Sequence, residues 1–454
     1  MKRLAHSVFR FYSFYGYLKI QKRIATINLL LILFFMLLSF IAMSQQPVPA
    51  KPRILISTHI GGTDPDDNQS MAHFLMYSHL FETEGLISSP SYGNGTIRDI
   101  LKMIDLYEKD LPRLEKFQSG YPPAKLLRSI CKQGRHGAAP FAGFASPTEG
   151  SEWIIKCAKK QRKEALWVLV WGGLEDLAQA LHDAPEIQHH IKVYWIGGPN
   201  KKWSANSYAY LVENFPDLWF IECNGSYNGF FSDSDAPDSL TNKNYYRQFI
   251  RQAGYLGGDF KHYYKGVIKM GDTPSLLYMM DGNPDDPFKE SWGGSFEKLN
   301  HSSRVIYKRN TTLVDTVNVY SLLEFRLKGP KITIPSDSAC FTMTVQAKIG
   351  EQKWDGFYLG DGEYAIRYCP KLAETLSYKI TSSIPGFEEQ QGRFVVNNTW
   401  PGEKDADDYN LGANWYTDKA NLNLFNEGEQ GAKTVLRWRN QVLIDWAKRW
   451  KWLQ

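Results

Sequence analysis

From Arg53 to about Asn300 the sequence alternates short, almost purely apolar runs with amphipathic segments of helical period, and each apolar run ends in a turn rich in Gly, Asn or Asp. That alternation predicts an α/β fold: a mostly parallel sheet with crossover helices on its faces. The predicted strands are Ile54–Ser57, Thr83–Ser88, Leu166–Val170, Val193–Ile196 and Trp219–Ile221. Between them the helical stretches are Arg98–Leu111, Thr148–Lys159, Glu175–His182 and Ala205–Asn214. In such a sheet the turns that follow the strands line one edge, so residues far apart in sequence converge there.

The first of these turns carries the most chemistry. Thr58-His-Ile-Gly-Gly-Thr-Asp-Pro-Asp-Asp67 places Asp64, Asp66 and Asp67 in a glycine-rich turn directly after an apolar strand. Three carboxylates so close repel one another unless a cation lies between them, and hard oxygen ligands suit Ca2+ or Mg2+ better than zinc. Gly61, Gly62 and Pro65 allow a sharp bend, and the helix predicted from Gln69 points its N-terminus at the same place. The residues alone equally allow an acidic helix cap.

This segment resembles the N-terminal aspartate motif of the nucleoside hydrolase superfamily. It is more similar still to a secreted bacterial branch of nucleoside-hydrolase-like proteins, often labelled cellulose-binding proteins. The resemblance implies a catalytic calcium that activates water. It makes Asp67 the bidentate calcium ligand and Asp66 a contact to sugar hydroxyls. His59 stands where the family places an aspartate that binds calcium and activates water, and Asp64 is then the carboxylate available to replace it.

Further positions follow in the family's order. Asn94, in Ser91-Tyr-Gly-Asn-Gly-Thr96, matches a sugar-contacting asparagine, although Asn-Gly is also an ordinary turn. Val170-Trp-Gly-Gly-Leu-Glu-Asp176 matches a turn whose backbone carbonyl reaches calcium, here that of Trp171, whose ring is either a sugar-stacking wall or core. Gly271-Asp-Thr-Pro-Ser275 makes Asp272 the last calcium ligand. Asn200, Trp203 and Asn206 lie where the family makes polar substrate contacts.

A chain of 454 residues with 43% hydrophobic content has room for two domains. A basic start followed by the apolar run Ile27–Met43 and Ala42-Met-Ser44 reads as a signal peptide over residues 1–44, so that the expected location is periplasmic or extracellular, with membrane contact only through an uncleaved leader. The net charge of +5 includes that basic leader, which leaves the rest near neutrality and disfavours nucleic acid as a partner. Five cysteines without a Cys-x-x-Cys pair disfavour zinc and a disulfide framework, and leave open either a Cys340–Cys369 pairing or simple burial.

After Asn300 the helical period disappears. Residues 312–397 break into strand-length pieces, Val317–Tyr320, Lys331–Pro335, Cys340–Ala347, Phe357–Leu359, Tyr364–Tyr368 and Leu376–Ser382, which predict a β-sandwich. The segment Phe357–Tyr368 with Ser377–Ser382 resembles the Ig-like domain found beside catalytic domains in secreted glycoside hydrolases. The amphipathic tail Gly431–Trp446 resembles the segment that closes the secreted nucleoside-hydrolase-like domain. The expected arrangement is therefore an α/β domain over 51–300, an inserted sandwich over 312–397 and a return to the first domain over 405–454, with a tandem arrangement in which the last helix covers the sandwich as the alternative.

The resemblance implies an exported hydrolase that cleaves an N-glycosidic, nucleoside-like or related glycosidic bond with a Ca2+-bound water. Asp64, Asp67, Asp272 and the Trp171 carbonyl would hold the ion, with Asp64 or His59 as base and Asp66 and Asn94 on the sugar. The expected partner is a small glycoside or nucleoside, or a polysaccharide. Two alternatives stay open: a carbohydrate-binding protein on the same fold with little or no catalysis, and a metal-free glycosidase using a pair of acids such as Glu175 and Asp176.

Overall fold

The computed structural model describes residue 28, residues 31–34, residue 36, residues 50–62 and residues 64–454. The chain divides into two units, Met1–Lys51 and Pro52–Gln454. The leader expected over residues 1–44 lies almost wholly outside the described residues. Among the described residues no helix is long and apolar enough to cross a membrane.

Within the second unit, six strands follow one another in the α/β part: β1 (Arg53–Thr58), β2 (Glu82–Ser88), β3 (Cys131–Gln133), β4 (Leu166–Val170), β5 (Ile191–Ile196) and β6 (Trp219–Cys223). They pair in parallel in the order β3-β2-β1-β4-β5-β6. Every residue of β1 and β4 is buried, as expected of strands covered on both faces. The two-residue period of a strand divides the core: Ile54, Ile56, Leu169 and Trp171 enter one apolar cluster, whereas Leu55, Val168 and Val170 enter the other.

The sheet is completed by residues that come much later. The strand Trp415–Asp418 lies parallel to β6 and antiparallel to β7 (Phe296–Lys298), which closes the far edge. The helix Lys433–Trp452 then buries Val435, Val442, Leu443, Trp446 and Trp450 in the first cluster. Each such side chain contributes about 1.5–3 kcal/mol of burial, so this final helix is part of the core.

Between these pieces stands a β-rich domain of eight strands. In spatial order they are Thr316–Asn318, Gln390–Asn397, Thr375–Thr381, Ser338–Ala347, Gly350–Gly360, Glu363–Tyr368, Leu322–Lys328 and Arg304–Tyr307. All pairs are antiparallel except the outermost on either side. The predicted strand Lys331–Pro335 is instead a turn region, since the prolines at 330 and 335 cannot donate to a ladder. Leu322–Lys328 was hidden from the pattern by Glu324, which is buried against Arg304, Arg326 and Arg367. All five cysteines are free.

One buried ion pair joins β6 to the helical turn Asn200–Trp203. Lys201 Nζ lies 2.6 Å from Glu222 Oε1, with both side chains fully buried. The ammonium also sits 3.8 Å from the ring centroids of Tyr208 and Trp400. Tyr208 Oη and Asn224 Nδ2 donate to the same carboxylate at 2.6 and 2.7 Å. These partners offset the desolvation that an isolated charge would suffer.

Candidate functional site

The site forms where β1 ends. Thr58 Oγ1 accepts from Ile60 N at 3.1 Å and donates to Asp67, fixing the turn on the helix that follows it. Gly61 takes φ +83°, a value that L side chains rarely adopt. Pro65 then leads into the helix Asp66–Tyr77, so Asp66 and Asp67 occupy its first turn, where the helix N-terminus favours negative charge. From the far end of the domain, Asp272 precedes the helix Thr273–Met280. Gly271 permits the approach, because a Cβ there would lie 2.5 Å from Asp66 Oδ2.

The result is a triad of carboxylates. Asp66, Asp67 and Asp272 are all buried, and each offers an oxygen within 4.8 Å of the others. Burial, followed by mutual repulsion, pushes the Asp272 carboxyl well above the usual range. Asp66 is likewise pushed well up by burial, against the pull of Lys269, and Asp67 is raised by burial in spite of His59 and Thr58. Oδ2 of Asp67 and Oδ2 of Asp272 have no hydrogen-bond partner. Oxygen-only donors, surplus negative charge and two unpaired buried oxygens fit a hard divalent cation such as Ca2+.

Two basic side chains also face this triad. His59 Nε2 lies 3.2 Å from Asp67 Oδ2, without hydrogen-bond geometry, and its Nδ1 is buried and unpaired. Lys269 Nζ lies 3.3 Å from Asp66 Oδ2 and also pairs with Asp64. Burial works against the Lys269 charge, but Asp66 and Asp64 raise its pKa.

Several expected roles change places. Asp64, expected as a ligand, is engaged by Lys269 and by the Tyr264 hydroxyl and stands outside the triad. Asp66, expected on the sugar, takes its place. The reason is local: the helix begins at Asp66, so residues 66 and 67 turn inward together, while Asp64 stays on the loop side of Pro65. The Trp171 ring is core, fully buried with Nε1 donating to Ser275 Oγ at 2.7 Å, and is no sugar-stacking wall. Its carbonyl accepts from Asn200 Nδ2 at 3.1 Å, and the same amide donates to the Ile196 carbonyl at 2.9 Å. Asn200 therefore staples the ends of β4 and β5, and its amide donors are not free for a substrate.

Asn94 is exposed on the loop after β2. That loop is pressed onto the β1 turn, since a Cβ on Gly95 would collide with the Ile60 carbonyl. Trp203 and Asn206 lie elsewhere, in a cleft shared with the β-rich domain. Asn206 Nδ2 donates to the Ala139 carbonyl at 3.0 Å and its Oδ1 accepts from Arg367 at 3.4 Å. Glu175 and Asp176 are locked inside the fold: Ser204 Oγ donates to Glu175 at 2.8 Å, while Arg135 N and Thr148 Oγ1 donate to Asp176. Sequence reasoning missed Lys269 and Tyr264, whose signal was a lysine two residues before the Gly-Asp turn.

The family of the cellulose-binding Sde182 nucleoside hydrolase-like domain matches residues 53–296. The chain belongs to that family. A domain of unknown function, DUF5060, matches residues 316–383 of the β-rich part. Among solved structures, a nucleoside hydrolase-related protein from Saccharophagus degradans associated with carbohydrate metabolism aligns at 18% identity and TM-score 0.46, over 77% of this chain and all of that one. The inosine-uridine preferring nucleoside hydrolase of Bacillus anthracis aligns at 17% identity and TM-score 0.34, over 56% of this chain and 86% of its own. The purine-preferring ribonucleoside hydrolase of Gardnerella vaginalis gives 14% and 0.31, over 55% and 84%. None of the curated proteins compared with the chain matches it.

Proposed function

We propose that this protein is an exported hydrolase that cleaves an N-glycosidic, nucleoside-like or related glycosidic bond with the help of Ca2+. The observation that carries the reading is the buried triad Asp66, Asp67 and Asp272 at the carboxyl edge of a parallel sheet, with two of its oxygens unpaired. These three residues would hold the ion, which when bound supplies a positive charge that polarises water and sugar hydroxyls. Asp64 and His59 stand next to the triad as the groups able to accept a proton, His59 in its neutral form. Asn94, exposed on the neighbouring loop, would meet a sugar hydroxyl. Export rests on the basic, apolar leader of residues 1–44.

Calorimetry tests this directly: the purified protein should bind calcium, and Asp67→Ala and Asp272→Ala should each abolish binding. Hydrolysis of a nucleoside and glycoside panel should stop on chelation. Absence of calcium binding by the unmodified protein would sink the proposal.

A second reading is favoured by a specific feature. Lys269 and His59 already set two basic side chains against Asp66 and Asp67, which suits a carbohydrate-binding protein with weak or no catalysis. The family's description as cellulose-binding agrees with it. Glycan affinity that survives chelation, with no turnover of any panel member, would select this reading.

A further inference from the structure

Two lysines outside the triad stand on the same edge of the sheet. Lys371 comes from the β-rich domain, in the connection between Glu363–Tyr368 and Thr375–Thr381, and its Nζ donates to Tyr227 Oη at 3.3 Å. Tyr227 belongs to the helical turn Ser226–Phe230 that follows β6, at the carboxyl edge where parallel sheets bind ligands. Its hydroxyl also meets the end of β5: Gly198 takes φ +38°, and a Cβ there would lie 2.6 Å from Tyr227 Oη. Lys202 follows in the turn Asn200–Trp203, whose Asn200 joins β4 to β5. A continuous wall connects Lys371 to the triad. The Tyr227 ring packs edge-on against Phe231, with centroids 5.5 Å apart. Phe231 in turn flanks Gly271, where a Cβ would lie 3.1 Å from the ring and 2.5 Å from Asp66 Oδ2. Lys269 Nζ stands 5.4 Å from the centroid of the same ring. Lys371 and Lys269 thus mark the two ends of one pair of aromatic rings.

Domain packing does not account for ammonium groups at that place. Lys371 and Lys202 are half-buried, and among the described residues neither forms an ion pair. The acids in range are held by other donors: Tyr320 Oη donates to Glu429 at 3.4 Å, and Lys348 N donates to Glu374 at 2.8 Å. Burial lowers the Lys371 pKa against the pull of Glu429, Lys269 lowers it further, and Asp64 and Asp66 oppose them, so the ammonium lies within electrostatic reach of the triad. Burial and then the Lys371 charge lower that of Lys202. Gathering cations out of water without a partner is unfavourable. An anion that accepts a charge-assisted hydrogen bond there relieves it.

We infer that the substrate carries an anionic group, a carboxylate or a phosphate ester, which Lys371 receives with support from Lys202 while the sugar lies toward the triad. The inference deepens the proposed function by naming its substrate class, and rests on that reading's placement of the sugar at the carboxyl edge of the sheet. It also gives the β-rich domain a part in choosing the substrate, since that domain supplies Lys371.

The test is titration calorimetry of the full chain in calcium buffer with matched probes: methyl β-D-glucuronide against methyl β-D-glucoside, and uridine 5′-monophosphate against uridine. In at least one pair the anion should bind roughly tenfold tighter than its neutral partner, the scale of one hydrogen bond to a charged group, and the pair that shows it distinguishes carboxylate from phosphate. Lys371→Met should abolish that preference while leaving thermal melting and the affinity for the neutral probe unchanged. Lys371→Arg should retain the preference, and Lys202→Met should reduce it. Equal affinity within both pairs, no binding of either anion, or a preference that survives in Lys371→Met would each overturn the inference. A preference kept in Lys371→Met but lost in Asp67→Ala would assign the anion to the ion held by the triad, overturning this inference while leaving the hydrolase proposal intact. A protein that binds no calcium yet keeps a Lys371-dependent preference would sink the hydrolase proposal and support the anion site.

Discussion

Glu175→Gln should stabilise the protein at alkaline pH and leave it almost unchanged at acid pH. Glu175 is 2% exposed, and burial, only partly offset by Ser204, pushes its carboxyl from 4.5 to about 7. The unfolded chain therefore loses this proton first as pH rises. Between about pH 4.5 and 7 the native state binds more protons than the unfolded one, so stability falls with pH through that window and is level beyond it. A window of that width, at about 1.36 kcal/mol per pH unit, makes the total loss about 3 kcal/mol. Glutamine keeps the shape and the acceptor for Ser204 but has nothing to ionise. Urea unfolding of both proteins at about pH 5 and about pH 8 reads the effect as a difference that grows by up to ~3 kcal/mol in favour of the variant. The other titrating groups are common to both proteins and cancel. A pH-independent difference would refute the reasoning. Loss of glycoside hydrolysis in a normally stable variant would instead place Glu175 among the reacting groups, as a two-acid glycosidase requires.

Two further outcomes follow from the same structure. His59→Asp adds a carboxylate next to Asp67, where the imidazole Nε2 now lies 3.2 Å away; calcium affinity measured by calorimetry should rise about tenfold, or ~1.4 kcal/mol, and an unchanged affinity would remove His59 from the cation site. Lys201→Met leaves Glu222 charged and buried without its cation and should cost about 3–5 kcal/mol in chemical denaturation, most of it restored by adding Glu222→Gln; a cost under ~1 kcal/mol would mean that Tyr208 and Asn224 alone satisfy the carboxylate.

The parallel sheet was legible because its strands are buried on both faces and so read as unbroken apolar runs; Leu166–Val170 and Ala205–Asn214 begin and end where the pattern places them. The positions of Asp67 and Asp272 were legible because each follows a glycine turn at the end of a strand or the start of a helix. What the pattern could not express was which neighbour of Pro65 turns inward, since a two-residue difference in where the helix starts exchanges Asp64 for Asp66. Nor could spacing reveal that the amide of Asn200 is committed to two backbone carbonyls, because that depends on the separation of β4 and β5 ends in space. Lys269 escaped notice for a related reason: a lone lysine has meaning only beside the acids that it faces.

The strand Trp415–Asp418 has a consequence for how the chain comes into being. Phe220 of β6 pairs with Trp415, so the hydrogen-bonding edge of β6 waits for a neighbour that is synthesised roughly 200 residues later. At ~5–20 residues per second that interval lasts on the order of 10–40 s. During that time a nascent α/β half presents a bare, apolar edge of the kind that recruits foreign strands, while the β-rich domain can already pair its own. A polypeptide that stops before Trp415 leaves the β6 edge open and lacks the helix Lys433–Trp452 that fills the first cluster, and an open edge of that kind favours aggregation.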